Sequence, residues 1–452
     1  MKPYTAYKQI NLPWLKSIPD HWEIWRNKNI FTELKEEVGD EVDSHRLLSL
    51  TLNGIIPRDV NAGGKFPSSF EKYKIVKTGN MAFCLFDIDE TPRTVGLSQY
   101  DGMLTGAYTI MRVDNINSKY AYYYYLALDN GKKLKPLYKG LRKTIDITTF
   151  QSAKLPVPPR AEQEQIVRFL DWKVSLTNKL INIRTNEINK LEELKRSKIL
   201  NCVMGQENDV RSKLSSISWV KNIPYNWNEE MLIQVAEEQK IKNVGLAETN
   251  LLSLSYGKII EKDINTTEGL LPASFEGYQI VYPGNIILRL TDLQNDRKSL
   301  RTGISTTKGI ITSAYTCLKV RDNIFPEYLH LQLHSADLCK VFYGMGGGVR
   351  QSIGFKEIRN LIIAIPPIEE QRRLLDVAKL IDNQSNLLME KYKEQISALN
   401  DLKQRLISDV VTGQIDVRNI EIPEYEYVEE KSDSDSDDID GDFDSEEISE
   451  EA

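Results

Sequence analysis

Residues 47–61 read LLSLTLNGIIPRDVN and residues 251–265 read LLSLSYGKIIEKDIN, with 8 of 15 positions identical. Residues 69–80 (SFEKYKIVKTGN) return as 274–285 (SFEGYQIVYPGN), with 8 of 12 identical. Upstream, Trp14, Lys16, Ile18, Pro19 and Trp22 reappear as Trp219, Lys221, Ile223, Pro224 and Trp227. Downstream, Gly106-Ala-Tyr-Thr echoes in Ser313-Ala-Tyr-Thr, and LPVPP at 155–159 in IAIPP at 363–367. Glu162-Gln163 is matched by Glu370-Gln371, and Gly205-Gln206 by Gly413-Gln414. The offset stays between 204 and 208 residues throughout, so a large module is duplicated. The period is far too long for a solenoid.

Each copy divides in two. Its first part mixes short alternating runs (Lys74–Val76, Met81–Leu85, Ala107–Val113) with Gly-, Asn- and Asp-rich turns, the pattern of a compact α+β domain. Its last stretch is one long helix. Val167, Leu170, Val174, Thr177, Ile181, Arg184, Ile188 and Leu191 alternate steps of three and four, a coiled-coil seam interrupted at Thr177 and Arg184. Leu374, Val377, Ile381, Leu388, Tyr392, Ile396, Leu399, Leu402, Leu406 and Val410 trace the same stripe in the second copy. The paired prolines block helix upstream, Glu162 and Glu370 place acid in each first turn, and Gly205 and Gly413 stop each helix. Two such stripes in a duplicated chain are expected to pack antiparallel with pseudo-two-fold symmetry.

The chain has 452 residues, 41% of them apolar, enough for two or three domains. No apolar run approaches the length of a membrane span, and MKPYTAYKQI at the N-terminus does not read as a secretory signal. Four well-separated cysteines, Cys84, Cys202, Cys317 and Cys339, outline neither a disulfide framework nor a zinc site, which fits a reducing cytoplasm. The net charge of −7 hides a division. Residues 421–452 hold 16 acidic residues and one Lys, a balance of −15, which leaves +8 for residues 1–420. The acidic tail is too polar to bury itself and is expected to be disordered, either a solubility appendage or a polyanion competing with nucleic acid for the basic body.

Catalytic signals are weak. There is no GxxxxGK[ST] phosphate loop, and Val349 stands where the glycines at 344–348 would need another. Pro158-Pro159 and Pro366-Pro367 lack the preceding Asn or Asp and the following aromatic of an amino-methyltransferase site. Asp20, Glu33 and Lys35 fit a loose metal-nuclease spacing, but Tyr225 replaces the aspartate in the second copy. His330 and His334 share a helix face without a third ligand and read as a structural pair. The Tyr120–Tyr125 run has a mostly apolar counterpart and reads as a packed helix. Nucleic-acid signals are better. A turn-rich segment carries Arg93 in one copy and Arg297, Lys298 and Arg301 in the other. A Gly-x-Arg turn follows, with Lys139, Arg142 and Lys143 in the first and Arg350 in the second. Cations on such loops suit phosphates and guanine edges, and glycines admit close backbone approach.

Taken together, Trp-x4-Pro-x2-Trp opening each half and aliphatic-x-x-Pro-Pro-x2-Glu-Gln leading into each long helix resemble the specificity subunits of type I restriction–modification systems. The resemblance spans residues 1 to about 418. It implies an α+β chain of two target recognition domains, 1–158 and 206–365, followed by long helices over 159–205 and 366–413, with a tail over 414–452 that is disordered and acidic from about 421. Each domain would read one half of a bipartite double-stranded DNA site. The antiparallel helices would set the spacing and dock methyltransferase subunits, two of them by symmetry, alongside restriction and translocase subunits. It implies no catalysis and no cofactor in this chain; S-adenosylmethionine, ATP and Mg²⁺ would serve the partners, in the cytoplasm. The acidic tail departs from the family pattern. On the residues alone two other classes compete: a stand-alone nuclease or methyltransferase with a dimerisation helix, and a pure protein scaffold.

Overall fold

The computed structural model describes the chain apart from residues 1, 53, 59–68, 141–142, 207–210, 265–273, 294–299, 346–351 and 431–452. The described residues form two compact units, one of residues 2–186 and 392–430, the other of residues 187–391. Four helices organise them: α1 (Ser118–Asn130), α2 (Arg160–Val203), α3 (Pro326–Leu338) and α4 (Ile368–Val411). The helices α2 and α4 have 44 residues each, about 66 Å at 1.5 Å per residue, and each contributes to both units.

Both units are built on an antiparallel four-stranded sheet. In the first the order is Phe31–Leu34, Thr109–Val113, Met81–Phe83, Val95–Leu97; in the second it is Ala236–Glu238, Thr316–Val320, Ile286–Leu288, Thr302–Ile304. The central strands Met81–Phe83 and Ile286–Leu288 are buried on both faces, so the alternation expected over Met81–Leu85 is corrected to a continuous apolar run. Met81, Phe83 and Met111 turn to the side of α1, into a core with Tyr125 and Phe150. Ala82 and Ile110, one step along, turn the other way toward Leu48, Ile55 and Leu104. In the second unit Ile286, Leu288 and Leu318 face α3, while Ile287 and Cys317 face Leu252, Leu254 and Ile311. A hairpin lies across the outer face in each unit, and it needs glycine beneath it. A Cβ at Gly96 would stand 2.6 Å from Leu50 Cδ1, and one at Gly303 2.5 Å from Leu254 Cδ1.

The repeated motifs tie each head to the long helices. The amides of Glu162 and Gln163 bond back to the Pro159 carbonyl, and those of Glu370 and Gln371 to Pro367, so each Pro-Pro opens its helix. The side chain of Gln163 donates to the Pro158 carbonyl (2.8 Å) and accepts from the amide of Asn117, the residue that caps α1 (2.8 Å). Gln371 repeats this between Pro366 and Phe325, at the start of α3. The Glu-Gln pair therefore staples the short helix to the long one in both units.

At their C-terminal ends α2 and α4 stop on Gly205 (φ +63°) and Gly413 (φ +74°), left-handed caps. Each cap is cupped by the Pro and second Trp of an opening motif. A Cβ at Gly205 would lie 2.5 Å from Pro224 Cγ and 2.8 Å from Trp227 Cη2; one at Gly413 would collide with Pro19 and lie 3.2 Å from Trp22 Cη2. Tyr120 and Tyr328 donate to the Val411 and Val203 carbonyls at these same ends, at 3.4 and 2.8 Å. The end of α4 thus closes the first unit as the end of α2 closes the second. The helices run antiparallel: in the first unit Lys403 bonds Asn178 and Tyr392 stacks under Arg184, and in the second Asp382 meets Lys195 and Leu374 meets Cys202.

Two expectations are corrected. Leu388 and Leu402, placed in the α4 seam by spacing, are 39% and 58% exposed, while Ile407, outside that stripe, is buried. α4 carries two apolar ridges, and periodicity alone does not say which meets α2. The segment expected to be without structure from about residue 421 packs on α2 as far as Glu430. Its carbonyls take hydrogen bonds from the buried side chains of Ser175, Asn178 and Asn182.

Candidate nucleic-acid interface

Arg93 and Arg301 stand one step apart in the repeat, Thr94 being the counterpart of Arg301, and both are absorbed into the fold. Arg93 Nη1 meets Asp129 Oδ2 at 3.2 Å and Asn130 Oδ1 at 2.8 Å. Asp129, at the end of α1, also accepts from the Thr94 amide and hydroxyl and from Lys132 Nζ. In the second unit Asp337 accepts from the Arg301 amide at 2.6 Å, and the guanidinium donates to the carbonyls of Thr291 (2.8 Å) and Asp292 (3.3 Å). Arg301 is fully buried, and the Arg93 side chain is 15% exposed. Assigning these two to DNA is therefore corrected. They anchor the strand after the loop to the helix end, and a buried guanidinium needs such partners to offset its lost hydration.

Lys139 and Lys143 are placed as a surface pair on a tight turn. The main chains of Lys139 and Thr144 bond each other in both directions, at 2.9 and 3.2 Å, with Gly140 at φ +70° and Lys143 at φ +46°. Lys139 Nζ lies 2.7 Å from Asp146 Oδ2, and this contact leads the causes holding the Asp146 carboxyl well below the usual carboxylate range. Lys143 Nζ lies 3.3 Å from Asp89 and 3.9 Å from Glu90. Arg142, between them, lies outside the described residues, as do Arg297, Lys298 and Arg350.

Other cations were not singled out by motif. Lys135, 59% exposed and 3.5 Å from Asp89, belongs to a run of five Lys and one Arg over 131–143, a density legible in the sequence. In the second unit Arg196 of α2 and Lys258 of a hairpin line an open groove of about 530 Å³ with Glu192, Tyr256 and Leu300. No spacing rule joins residues so far apart along the chain. Tyr256, at the hairpin tip with φ +44°, is 63% exposed.

The remaining candidates resolve as structure. The Tyr120–Tyr125 run is core: Tyr120, Tyr124 and Tyr125 are buried, with hydroxyls bonded to Pro156, Trp14 and Asn27. His330 and His334 lie with ring centroids 6.0 Å apart, and burial pushes His330 down to about 4. Among the described residues no three His, Cys, Asp or Glu side chains gather as a metal site. No helix among them is long and apolar enough to cross a membrane.

Residues 95–193 match the family model of the type I restriction modification DNA specificity domain. A putative type I restriction enzyme MjaX specificity subunit from Methanocaldococcus jannaschii is 24% identical over 438 residues, covering 89% of this chain and 95% of the relative. Over most of its length the chain is thus similar to type I specificity subunits. The MjaVIII specificity subunit of the same organism is 26% identical over 300 residues, 61% of this chain and 65% of the relative. A solved structure described as the basis of complex assembly and conformational transition of the type I R-M system shares the fold, with a TM-score of 0.57 at 14% identity over 88% of this chain and 99% of that one.

Proposed function

We propose that each unit reads one half of a bipartite DNA sequence and that α2 and α4 dock two methyltransferase subunits, with restriction and translocase subunits joining them. The observation that carries this reading is the repetition of one scaffold bearing different loops. Tyr120 and Tyr328, Gln163 and Gln371, and Gly413 and Gly205 make matching contacts in the two units. Residues 90–94 and 294–301 differ in length and charge. A shared frame with divergent loops is the arrangement expected of two readers with separate specificities. S-adenosylmethionine, Mg²⁺ and ATP would act in the partners.

Lys139, Arg142, Lys143, Arg297, Lys298 and Arg350 are the proposed DNA contacts, with Lys135, Arg196 and Lys258 added by the geometry. The ion pairs of Lys139 and Lys143 are exposed and stabilise little, so these ammonium groups exchange their carboxylates for phosphates readily. The test replaces residues 1–158 with the equivalent domain of another specificity subunit and maps methylated sites in cells that supply the methyltransferase. One half-site should change and the other persist; a change in both would refute independent readers. Lys139→Ala with Lys143→Ala should reduce the slope of log affinity against log salt by about 1–2.

A further inference from the structure

The two units treat equivalent helix faces differently. In the first, residues 417–430 run without regular secondary structure along α2, held by its side chains. Gln165 Nε2 donates to the carbonyls of Val417 (3.1 Å) and Ile420 (2.8 Å). Ser175 Oγ donates to the Glu426 carbonyl (3.0 Å) and accepts from the Val428 amide (2.8 Å). Asn178 and Asn182 donate to the carbonyls of Val428 (3.2 Å) and Glu429 (2.9 Å). These bonds recognise main chain rather than side chains. The segment ends on Glu430, 2.5 Å from Lys403 Nζ, which also bonds Asn178 Oδ1.

In the second unit the residues equivalent to Trp172, Ser175, Asn178 and Asn182 are Leu380, Asn383, Asn386 and Glu390, and all are exposed. Leu380 and Leu387 are 55% and 56% exposed, an apolar pair two turns apart on one helix side. The polar core of the face is nevertheless repeated: Lys195 Nζ bonds Asn386 Oδ1 at 3.0 Å, as Lys403 bonds Asn178. There α4 itself supplies the carboxylate, Asp382, at 3.0 Å. The second face is thus complete when uncovered, whereas the first takes its carboxylate from Glu430. After α2 the chain turns into the strand Ser212–Leu214; after α4 it runs back along α2.

We propose that residues 417–430 are a displaceable cover over the first of two repeat-equivalent docking faces, so that a methyltransferase subunit meets an open face on the second unit and a closed one on the first. This rests on the reading that methyltransferase subunits dock on the long helices. A subunit displacing the cover must replace its carbonyls and the Glu430 carboxylate, so the segment it lays on the first unit is extended and acidic.

The test titrates the full chain with its methyltransferase subunit under native mass spectrometry. Two binding steps are expected, the second weaker by about tenfold or more beyond statistics, as for a face open about a tenth of the time. Val428→Pro, which removes the amide bonded to Ser175, and Glu430→Gln alter the cover and not the face. Together they should bring the two steps within about threefold, the range expected once the face is mostly open. Faster amide exchange at Tyr427 and Glu429 would report that the cover has been released. Equal steps in the unaltered chain would overturn the proposal. So would an unchanged ratio in a variant whose cover amides exchange freely. Failure of any methyltransferase subunit to bind a folded chain would overturn the docking reading itself, and the proposal with it.

Discussion

Glu162 and Glu370 occupy the same place in the repeated motif, yet their removal should cost different amounts. Glu162 Oε1 accepts from Tyr4 Oη at 2.5 Å and Trp22 Nε1 at 3.0 Å, and Oε2 lies 2.8 Å from His21 Nε2. Tyr4 and Trp22 are buried, and the Tyr4 hydroxyl is pushed up by burial and then by this carboxylate. Glu162→Ala leaves two buried donors without an acceptor, at about 1–3 kcal/mol each, so the first unit should lose about 2–6 kcal/mol. Among the described residues Glu370 accepts one long bond, from Asn226 at 3.3 Å, and has Arg373 at 3.9 Å. The indole nitrogen of Trp227 finds no acceptor among the described residues, so it has none to lose. Glu370→Ala should therefore cost below about 1 kcal/mol. The helix-terminal charge is common to both and cancels in the comparison. Because the two units need not unfold together, the assay is hydrogen exchange under mild denaturant, following peptides from 110–125 and from 316–333 separately. Equal loss of protection in the two variants would refute the reasoning. So would a Glu162→Ala protein whose first unit exchanges like the parent.

Gly413→Ala should destabilise the first unit and Gly205→Ala the second, each by about 2–4 kcal/mol, from left-handed backbone strain and overlap with Pro19 or Pro224. The same exchange measurement checks this, and a penalty in the wrong unit would break the proposed closure of each head by the other copy's helix. The second unit should lose stability as pH falls from about 6.5 toward 4. His330 stays neutral in the fold down to about 4, whereas its unfolded imidazole takes a proton near 6.5. The loss should approach about 3 kcal/mol once both states are protonated, and His330→Gln should flatten the slope between urea midpoints at pH 7 and pH 5.

Duplication, the mixed α and β content of each head and both long helices were legible in the chain. Each depends on a local rule: self-similarity at a fixed offset, turn residues between apolar runs, and Pro-Pro and Gly bounding a heptad-like stripe. The motif residues also announced themselves as recurrent, though not what they touch. That Gln163 and Gln371 staple two helices, and that Pro19 with Trp22 cups Gly413, are contacts across as many as 394 positions, beyond the reach of any local rule.

The candidate interface shows the boundary most clearly. A loop arginine has the same sequence signature whether its guanidinium faces DNA or is folded inward. Lys139 and Lys143 reach the surface of a turn, whereas Arg93 is claimed by Asp129 and Arg301 by carbonyls around it. Composition likewise marks 421–452 as one acidic segment. Only the tertiary structure divides it, because α2 carries Ser175, Asn178 and Asn182 on successive turns where main-chain groups can meet them. What the sequence determined by itself was everything periodic or repeated. Which charges are buried, which ridge of α4 meets α2 and which helix face is covered were decided in three dimensions, where desolvation rather than spacing selects the partner.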